Sequence, residues 1–214
     1  MQERQLTALD RLLAGIDGAL KSFTAGQPRP ARSSPARDVP ENYLSRSEVS
    51  LSAALMRVNH SGEIAAQGLY QGHALFARDL QIRRRLREAA QEERDHLGWC
   101  EERLTQLDAG PSRLSPLWYA GAFAIGAASG VLGDKWSLGF IEETERQVAE
   151  HLSGHLERLP PNDARSRAIV ERMRSEEERH GADARQAGAA ALPEAIRELM
   201  RVTARVMTRT AFRV

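Results

Sequence analysis

Apolar residues recur every three or four positions along most of this chain, which predicts an all-α fold. No segment alternates apolar and polar residues in the way that a half-exposed strand does. The abundance of Ala, Leu, Arg and Glu, with few aromatic residues, also favours helices.

The apolar pattern and its Pro and Gly breaks divide the chain into an N-terminal part, residues 1–46, and a helical domain, residues 47–214. Residues 3–23 predict an amphipathic helix with a heptad-like seam, which either packs on the domain or drives self-association. Residues 24–42 carry four prolines among Gly, Ser and Arg, which predicts a mobile linker.

Four long helices are predicted in the larger part. Their approximate bounds are 47–78, 79–107, 134–159 and 163–190. Breaks near Arg78–Asp79 and at Pro160–Pro161 make each consecutive pair an antiparallel hairpin. We therefore expect a ferritin-like four-helix bundle, with extra N-terminal, connecting and C-terminal helices around it.

The connecting and C-terminal segments raise the question of membrane contact. Residues 116–133 are apolar but rich in Gly and Ala, so a buried connecting helix is favoured over a segment that dips into a membrane face. A true membrane span is the least favoured reading of this short stretch. Pro193 begins a last amphipathic helix rich in Arg, which either binds an anionic membrane surface or an acidic partner, or packs on the bundle.

The candidate chemistry lies in a motif that occurs twice. Glu93 and His96 are three residues apart, as are Glu177 and His180, so each pair lies on one face of a helix. Their neighbours on that face are apolar or small, which predicts that both pairs point into the bundle. Burying a carboxylate and an imidazole is costly unless something neutralises them, and a metal ion would do so.

Each motif has a matching glutamate in the preceding helix. Glu63 lies 15 residues before Arg78 and Glu93 lies 15 after it, so a hairpin turning there places both about 22 Å from the turn. Glu145 interrupts an apolar stripe, and it and the glutamate of the second motif each lie 16 residues from Pro161. The spacing predicts an internal repeat of a lone Glu, a turn and Glu-x-x-His.

The repeat predicts a dinuclear metal site in the core of the bundle. The predicted ligands are Glu63, Glu93, His96, Glu145, Glu177 and His180. Four carboxylates would neutralise two divalent ions, and carboxylates with imidazoles suit iron or manganese. The residues expected to support the ligands from outside are Tyr70, Asp95, His151 and Asp183. Of these, the two aspartates would accept the free N–H of the ligand histidines.

Composition restricts the partners and the compartment. The net charge is +1, so nothing global suggests nucleic acid. Cys100 is the only cysteine, which excludes a disulfide framework or a four-thiolate iron site and fits a reducing compartment. We expect Cys100 to pack in the core. The charged N-terminus lacks the apolar segment of a secretory signal.

Three features carry a resemblance to a known family: the segment Arg57-Val58-Asn59-His60-Ser61-Gly62-Glu63, the two Glu-x-x-His motifs, and Glu145 with His151. In these the chain resembles the demethoxyubiquinone hydroxylases of ubiquinone biosynthesis, which are ferritin-like diiron monooxygenases. The resemblance covers about residues 47–214, and the first of the three features separates this family from ferritins and rubrerythrins. Asn59 stands where the family usually has Asp.

The resemblance implies two iron ions per chain, with manganese less favoured, and hydroxylation of the ring of a demethoxy polyprenyl-benzoquinol by O2. Glu93 and Glu177 would bridge the ions, and the other Glu and His of each hairpin would complete one ion each. The resemblance also implies a peripheral protein at the cytoplasmic face of the bacterial inner membrane. Other ubiquinone-biosynthesis proteins and a second copy of the chain are further candidate partners.

Other functions stay open from the residues alone. A ferritin-like iron-binding protein would share the ligands but have a cage-forming surface and no apolar membrane-facing segment. A manganese catalase or a peroxide-reducing rubrerythrin would use a similar centre. A bundle that scaffolds other biosynthetic proteins through residues 3–23 would keep its function after the metal is lost.

Overall fold

A computed structural model describes residues 30–214, which contain six helices and no strands. In chain order these are α1 Arg46–Phe76, α2 Leu80–Gln106, α3 Ser115–Leu132, α4 Asp134–Arg158, α5 Ala164–Gln186 and α6 Glu194–Ala211. The predicted all-α class is confirmed. The predicted helix at 3–23 lies outside the described residues.

Helices α1, α2, α4 and α5 form the ferritin-like bundle. α1 packs along α2, and α4 packs along α5, as the two predicted hairpins require. The turns fall at residues 77–79 and 159–163, within a few residues of the predicted breaks. That one hairpin is a sequence copy of the other stays a prediction.

Side-chain caps explain where the bundle helices begin. Ser45 and Glu48 form a capping box at the start of α1, in which each side chain bonds the backbone N–H of the other residue. Asp79 and Asp163 accept backbone N–H groups in the first turns of α2 and α5. Helix α5 ends four residues earlier than predicted, because Gly188 takes a left-handed φ of 96° just after it.

Two apolar layers enclose the middle of the bundle. One layer contains Leu55, Met56, Trp99, Cys100, Leu152 and Met173. The other contains Tyr70, Leu86, Leu138, Ile141 and Ala184. All the residues of both layers are buried, so the polar side chains between them are separated from water at both ends.

Helix α3 is not the buried connector that we favoured from the sequence. One side packs on α1 through glycines: a Cβ on Gly126 would lie 2.3 Å from the Leu69 carbonyl oxygen. The other side leaves Leu117, Ile125 and Leu132 exposed. Since small residues permit close backbone contact on one side only, the helix is half-buried. Among residues 30–214, no helix has the length and apolarity needed to cross a membrane.

The described part of the predicted linker, residues 30–42, packs on the bundle, so the prediction of a mobile segment is wrong there. The Ala31 N–H donates to Asp95 Oδ1 at 2.7 Å. Glu41 accepts hydrogen bonds from the buried Arg103 guanidinium on α2. Specific polar contacts therefore offset the flexibility that its prolines and glycines suggested.

Candidate dinuclear metal centre

The six predicted ligands converge between the two apolar layers. Each of them is at most 6% exposed. Their donor atoms form two groups, and within each group the atoms lie within 4.8 Å of one another. The first group is Glu63, Glu93, His96 and Glu177, and the second is Glu93, Glu145, Glu177 and His180. Glu93 and Glu177 belong to both groups, so the two groups share an edge.

Helix geometry accounts for this convergence. Glu and His three residues apart on α2 and on α5 project from one face of each helix, towards the bundle axis. The hairpins bring the lone glutamates of α1 and α4 to the same level: Glu63 Oε2 lies 3.7 Å from His96 Nδ1. Glu63 and Glu145 each join Glu93 and Glu177 in one donor group, so four buried carboxylates meet inside the bundle.

Both histidines present Nδ1 to the carboxylates. His96 Nδ1 lies 3.1 Å from Glu177 Oε1 and 3.2 Å from Glu93 Oε2. His180 Nδ1 lies 3.1 Å from Glu93 Oε1 and 3.5 Å from Glu177 Oε2. Each ring therefore places one nitrogen among the candidate ligands and leaves Nε2 for another partner.

The partners of Nε2 are two glutamates that the sequence analysis did not select, Glu92 and Glu176, which we call the outer carboxylates. His96 Nε2 contacts Glu176 Oε2 at 2.7 Å, and His180 Nε2 contacts Glu92 Oε2 at 3.2 Å. Each outer carboxylate immediately precedes the glutamate of one motif and contacts the histidine of the other. The shared sequence Glu-Glu-x-x-His was the signal that could have revealed them.

The predicted roles of Asp95 and Asp183 as acceptors for the ligand histidines are wrong. Asp95 instead accepts from Arg32 and from the backbone of residue 31. Asp183 is exposed and lies 3.9 Å from Arg179. Asp95 and Asp183 lie on the same helices as His96 and His180. The Nε2 atoms of the two histidines instead contact carboxylates of the facing helix.

Two further residues singled out from the sequence lie in different places. The Tyr70 hydroxyl donates to Glu145 Oε1 at 2.6 Å, so it touches the candidate ligand set directly. The His151 ring packs on His155 with centroids 3.9 Å apart. His155 Nδ1 bonds Asn59 Oδ1 at 2.7 Å, so Asn59 takes part in this histidine pair.

The candidate ligand carboxylates differ in the direction of their pKa shifts. Burial, together with repulsion by neighbouring carboxylates, raises the pKa of Glu63 and of Glu145 well above the usual range. Burial also acts to raise the pKa of Glu93, but the two histidines outweigh it and lower this pKa. Burial acts to lower the pKa of His180, but its contacts with Glu177 and Glu93 raise it to about 11.

The donor set fits divalent metal ions. Glu93 Oε1, both Glu177 carboxylate oxygens and His180 Nδ1 are buried but make no hydrogen bond among the described residues. Buried polar atoms normally have partners, and these atoms lie in the two donor groups. Oxygen and imidazole donors suit iron or manganese, and metal binding would displace the protons that otherwise balance the carboxylates. Cys100 packs against Met173 and is not in either group.

The fold and the site together define a ferritin-like helical bundle with a candidate dinuclear carboxylate–histidine centre. Residues 50–211 match the family described as ubiquinone biosynthesis protein COQ7, and the chain belongs to that family.

Several bacterial proteins are similar to this chain over nearly its whole length. A protein of Ralstonia pickettii is 54% identical over 220 residues, covering 100% of both chains. One of Nitrosococcus oceani is 51% identical over 99% of both, and one of Alcanivorax borkumensis is 47% identical over 100% of both. Each of these relatives is named 3-demethoxyubiquinol 3-hydroxylase.

Proposed function

We propose that this protein is a 3-demethoxyubiquinol 3-hydroxylase with two iron ions per chain. The observation that carries the proposal is the pair of buried donor groups that share Glu93 and Glu177. The full-length similarity to hydroxylases supports the substrate, a demethoxy polyprenyl-benzoquinol, and O2 as the co-substrate.

The side chains have separate tasks in this proposal. Glu93 and Glu177 would hold both ions, His96 and Glu63 one ion, and His180 with Glu145 the other. Iron, when bound, would supply the reductive activation of O2. The overall reaction inserts one oxygen atom into a ring C–H bond and releases the other as water, with two electrons and two protons from outside the protein.

The surroundings of the centre hold protons and exclude water. Burial and the nearby Glu145 raise the pKa of Tyr70 well above its usual value, so its hydroxyl stays protonated and donates a hydrogen bond to that carboxylate. This bond fixes one carboxylate oxygen of Glu145, which belongs to the second donor group. The two apolar layers keep bulk water away from the reacting atoms.

Adjacent glutamates on α5 offer a matched test. Glu177→Gln removes a shared ligand, whereas Glu178→Gln changes an exposed residue whose contact is with Arg174. After anaerobic iron loading, O2 and a demethoxyquinol are added and the product is identified by mass spectrometry. We expect hydroxylated product from wild type and Glu178→Gln, and none from Glu177→Gln. Iron binding by wild type without product would favour iron storage or peroxide reduction.

We also propose that the protein binds peripherally to the cytoplasmic face of the inner membrane. The α1–α2 turn lies against the start of α4, since the Arg78 N–H donates to Asp134. Around this junction Phe76, Leu80, Leu132 and Trp136 are exposed. A cluster of exposed apolar side chains at one end of a bundle suits the interface of a bilayer and the entry of a polyprenyl tail.

Helix α6 contributes less positive charge to such a surface than its sequence suggests. Arg201 contacts Glu194 and Glu198, and Arg205 also contacts Glu198 on the same helix. Co-sedimentation with anionic lipid vesicles should therefore depend more on the apolar end than on this helix. We expect Leu80→Glu to weaken vesicle binding and Tyr43→Glu, at another exposed position, to leave it unchanged.

A further inference from the structure

We propose that Arg32 is a positioning residue for the metal centre: it holds Glu176 against His96 and so orients the His96 ring towards the ions. Arg32 lies outside residues 50–211, which match the family. The inference rests on the dinuclear centre of the proposed function and adds a contribution from the N-terminal segment to it.

The Arg32 guanidinium is held in one place by partners on two helices. Two of its nitrogens donate to the two carboxylate oxygens of Glu176 on α5, at 2.7 and 3.1 Å. Its Nε donates to Asp95 on α2. The guanidinium also lies 4.9 Å from the centre of the Trp99 ring, whose Nε1 donates to the Arg32 carbonyl oxygen. Paired N–H groups on a carboxylate give this contact directional strength.

Glu176 transmits this arrangement to the candidate ligand. Its Oε2 lies 2.7 Å from His96 Nε2, and its side chain is only 6% exposed. A carboxylate on Nε2 selects the tautomer that carries the proton there, which leaves the Nδ1 lone pair for a metal ion. Arg172, on the same helix as Glu176, also contacts Glu176 Oε1 at 2.6 Å, but its side chain is 56% exposed and it bonds no second helix among the described residues. The chain of contacts that comes from the N-terminal segment therefore runs from Arg32 through Glu176 to His96.

The other half of the centre has no equivalent of Arg32 among the described residues. Glu92, the outer carboxylate of His180, is contacted by Arg179, and 31% of its side chain is exposed. The Arg179 side chain is itself 49% exposed. An effect of Arg32 on the metal should consequently be confined to the ion that His96 would bind.

The experiment compares the full-length wild type with Arg32→Ala, Arg32→Lys and the control Arg37→Ala. Arg37 is exposed and contacts Ser33 on its own segment. Each metal-free protein is titrated anaerobically with ⁵⁷Fe(II) against a chelator and examined by Mössbauer spectroscopy. Metal-free melting temperatures report on folding.

We expect Arg32→Ala to weaken binding of one iron by about 10-fold and to alter only one of two Mössbauer signals. Arg32→Lys keeps the charge but not the paired N–H groups, so it should recover part of the affinity. Arg37→Ala should match wild type. If Arg32→Ala does not fold without metal, Glu176→Gln tests the same link while keeping the size of the side chain.

Two results would overturn the inference. In one, Arg32→Ala binds both ions as wild type does; in the other, it weakens both equally, as a general loss of stability would. Failure of the proposed function would look different, because the wild-type protein itself would then not bind two ions or would give no hydroxylated product.

Discussion

The two halves of the candidate centre carry the same sequence, Glu-Glu-x-x-His, but differ in their surroundings. The contact between His96 and Glu176 is 2.7 Å long, and its carboxylate is covered by Arg32. The contact between His180 and Glu92 is 3.2 Å long and reaches a partly exposed side chain. Identical motifs therefore acquire different environments, because a segment distant in sequence covers only one of them.

The largest expected effect tests whether the halves share ligands at all. Glu93 belongs to both donor groups and Glu63 to one. Glu93→Ala should abolish binding of both ions, whereas Glu63→Ala should affect mainly one, as measured by iron per chain after gel filtration. Equal retention of one ion in both variants would contradict a shared edge.

The second prediction compares how much each outer carboxylate contributes to iron affinity. Glu176→Gln should weaken iron binding by about 10- to 100-fold, the usual effect of losing a carboxylate behind a ligand histidine. Glu92→Gln should have a smaller effect, because solvent already competes for the exposed Glu92 side chain. Chelator competition on the two full-length variants measures their iron affinities. A larger loss in Glu92→Gln would show that the exposure of the outer carboxylate does not determine its contribution to iron affinity.

The third prediction uses pH on the metal-free protein. The folded-state pKa of His180 is raised from 6.5 to about 11, so its contribution to stability is complete below pH 6.5 and is lost as pH rises towards 11. Metal-free protein should therefore melt lower at pH 9 than at pH 6.5, while the iron-loaded protein changes less. A metal-free melting temperature that rises over this range would contradict the sign.

The smallest expected effect on the difference between the two halves comes from a packing change far from the centre. Gly126→Ala forces a Cβ against the α1 backbone and should destabilise the protein by about 1–3 kcal/mol. Gly121→Ala is the control, because its Cβ would meet no atom within 4 Å. Neither should change the affinity ratio of the two ions. A changed ratio in Gly126→Ala would mean that general stability, rather than the outer contacts, separates the halves.

Much of the fold could be predicted because local signals determine it. Asp79 and Asp163 lie at predicted helix starts, and the 3.6-residue period assigns the inward faces. Equal spacing of Glu63 and Glu93 from the turn predicted that they meet. Periodicity did not predict the exposed side of α3, because its apolar residues surround the helix while its glycines select one packing face.

The contacts of the site with sequence-distant residues could not be predicted in the same way. The sequence places Glu176 next to Glu177, but helix periodicity does not predict that Glu176 contacts His96 on the facing helix. Prolines in the N-terminal segment suggested a mobile linker and hid the role of Arg32, whose partners lie 63 and 144 residues away. Asp95 was misassigned because its real partner belongs to that segment.

The most direct test of the central claim is the number and kind of iron ions that the full-length protein binds. Metal-free protein is titrated anaerobically with ⁵⁷Fe(II), and the end point and the Mössbauer spectrum are recorded. We predict two ions per chain in two distinguishable environments, both lost in Glu177→Gln and retained in Glu178→Gln. One ion per chain, or none, would contradict a centre built from two donor groups that share Glu93 and Glu177.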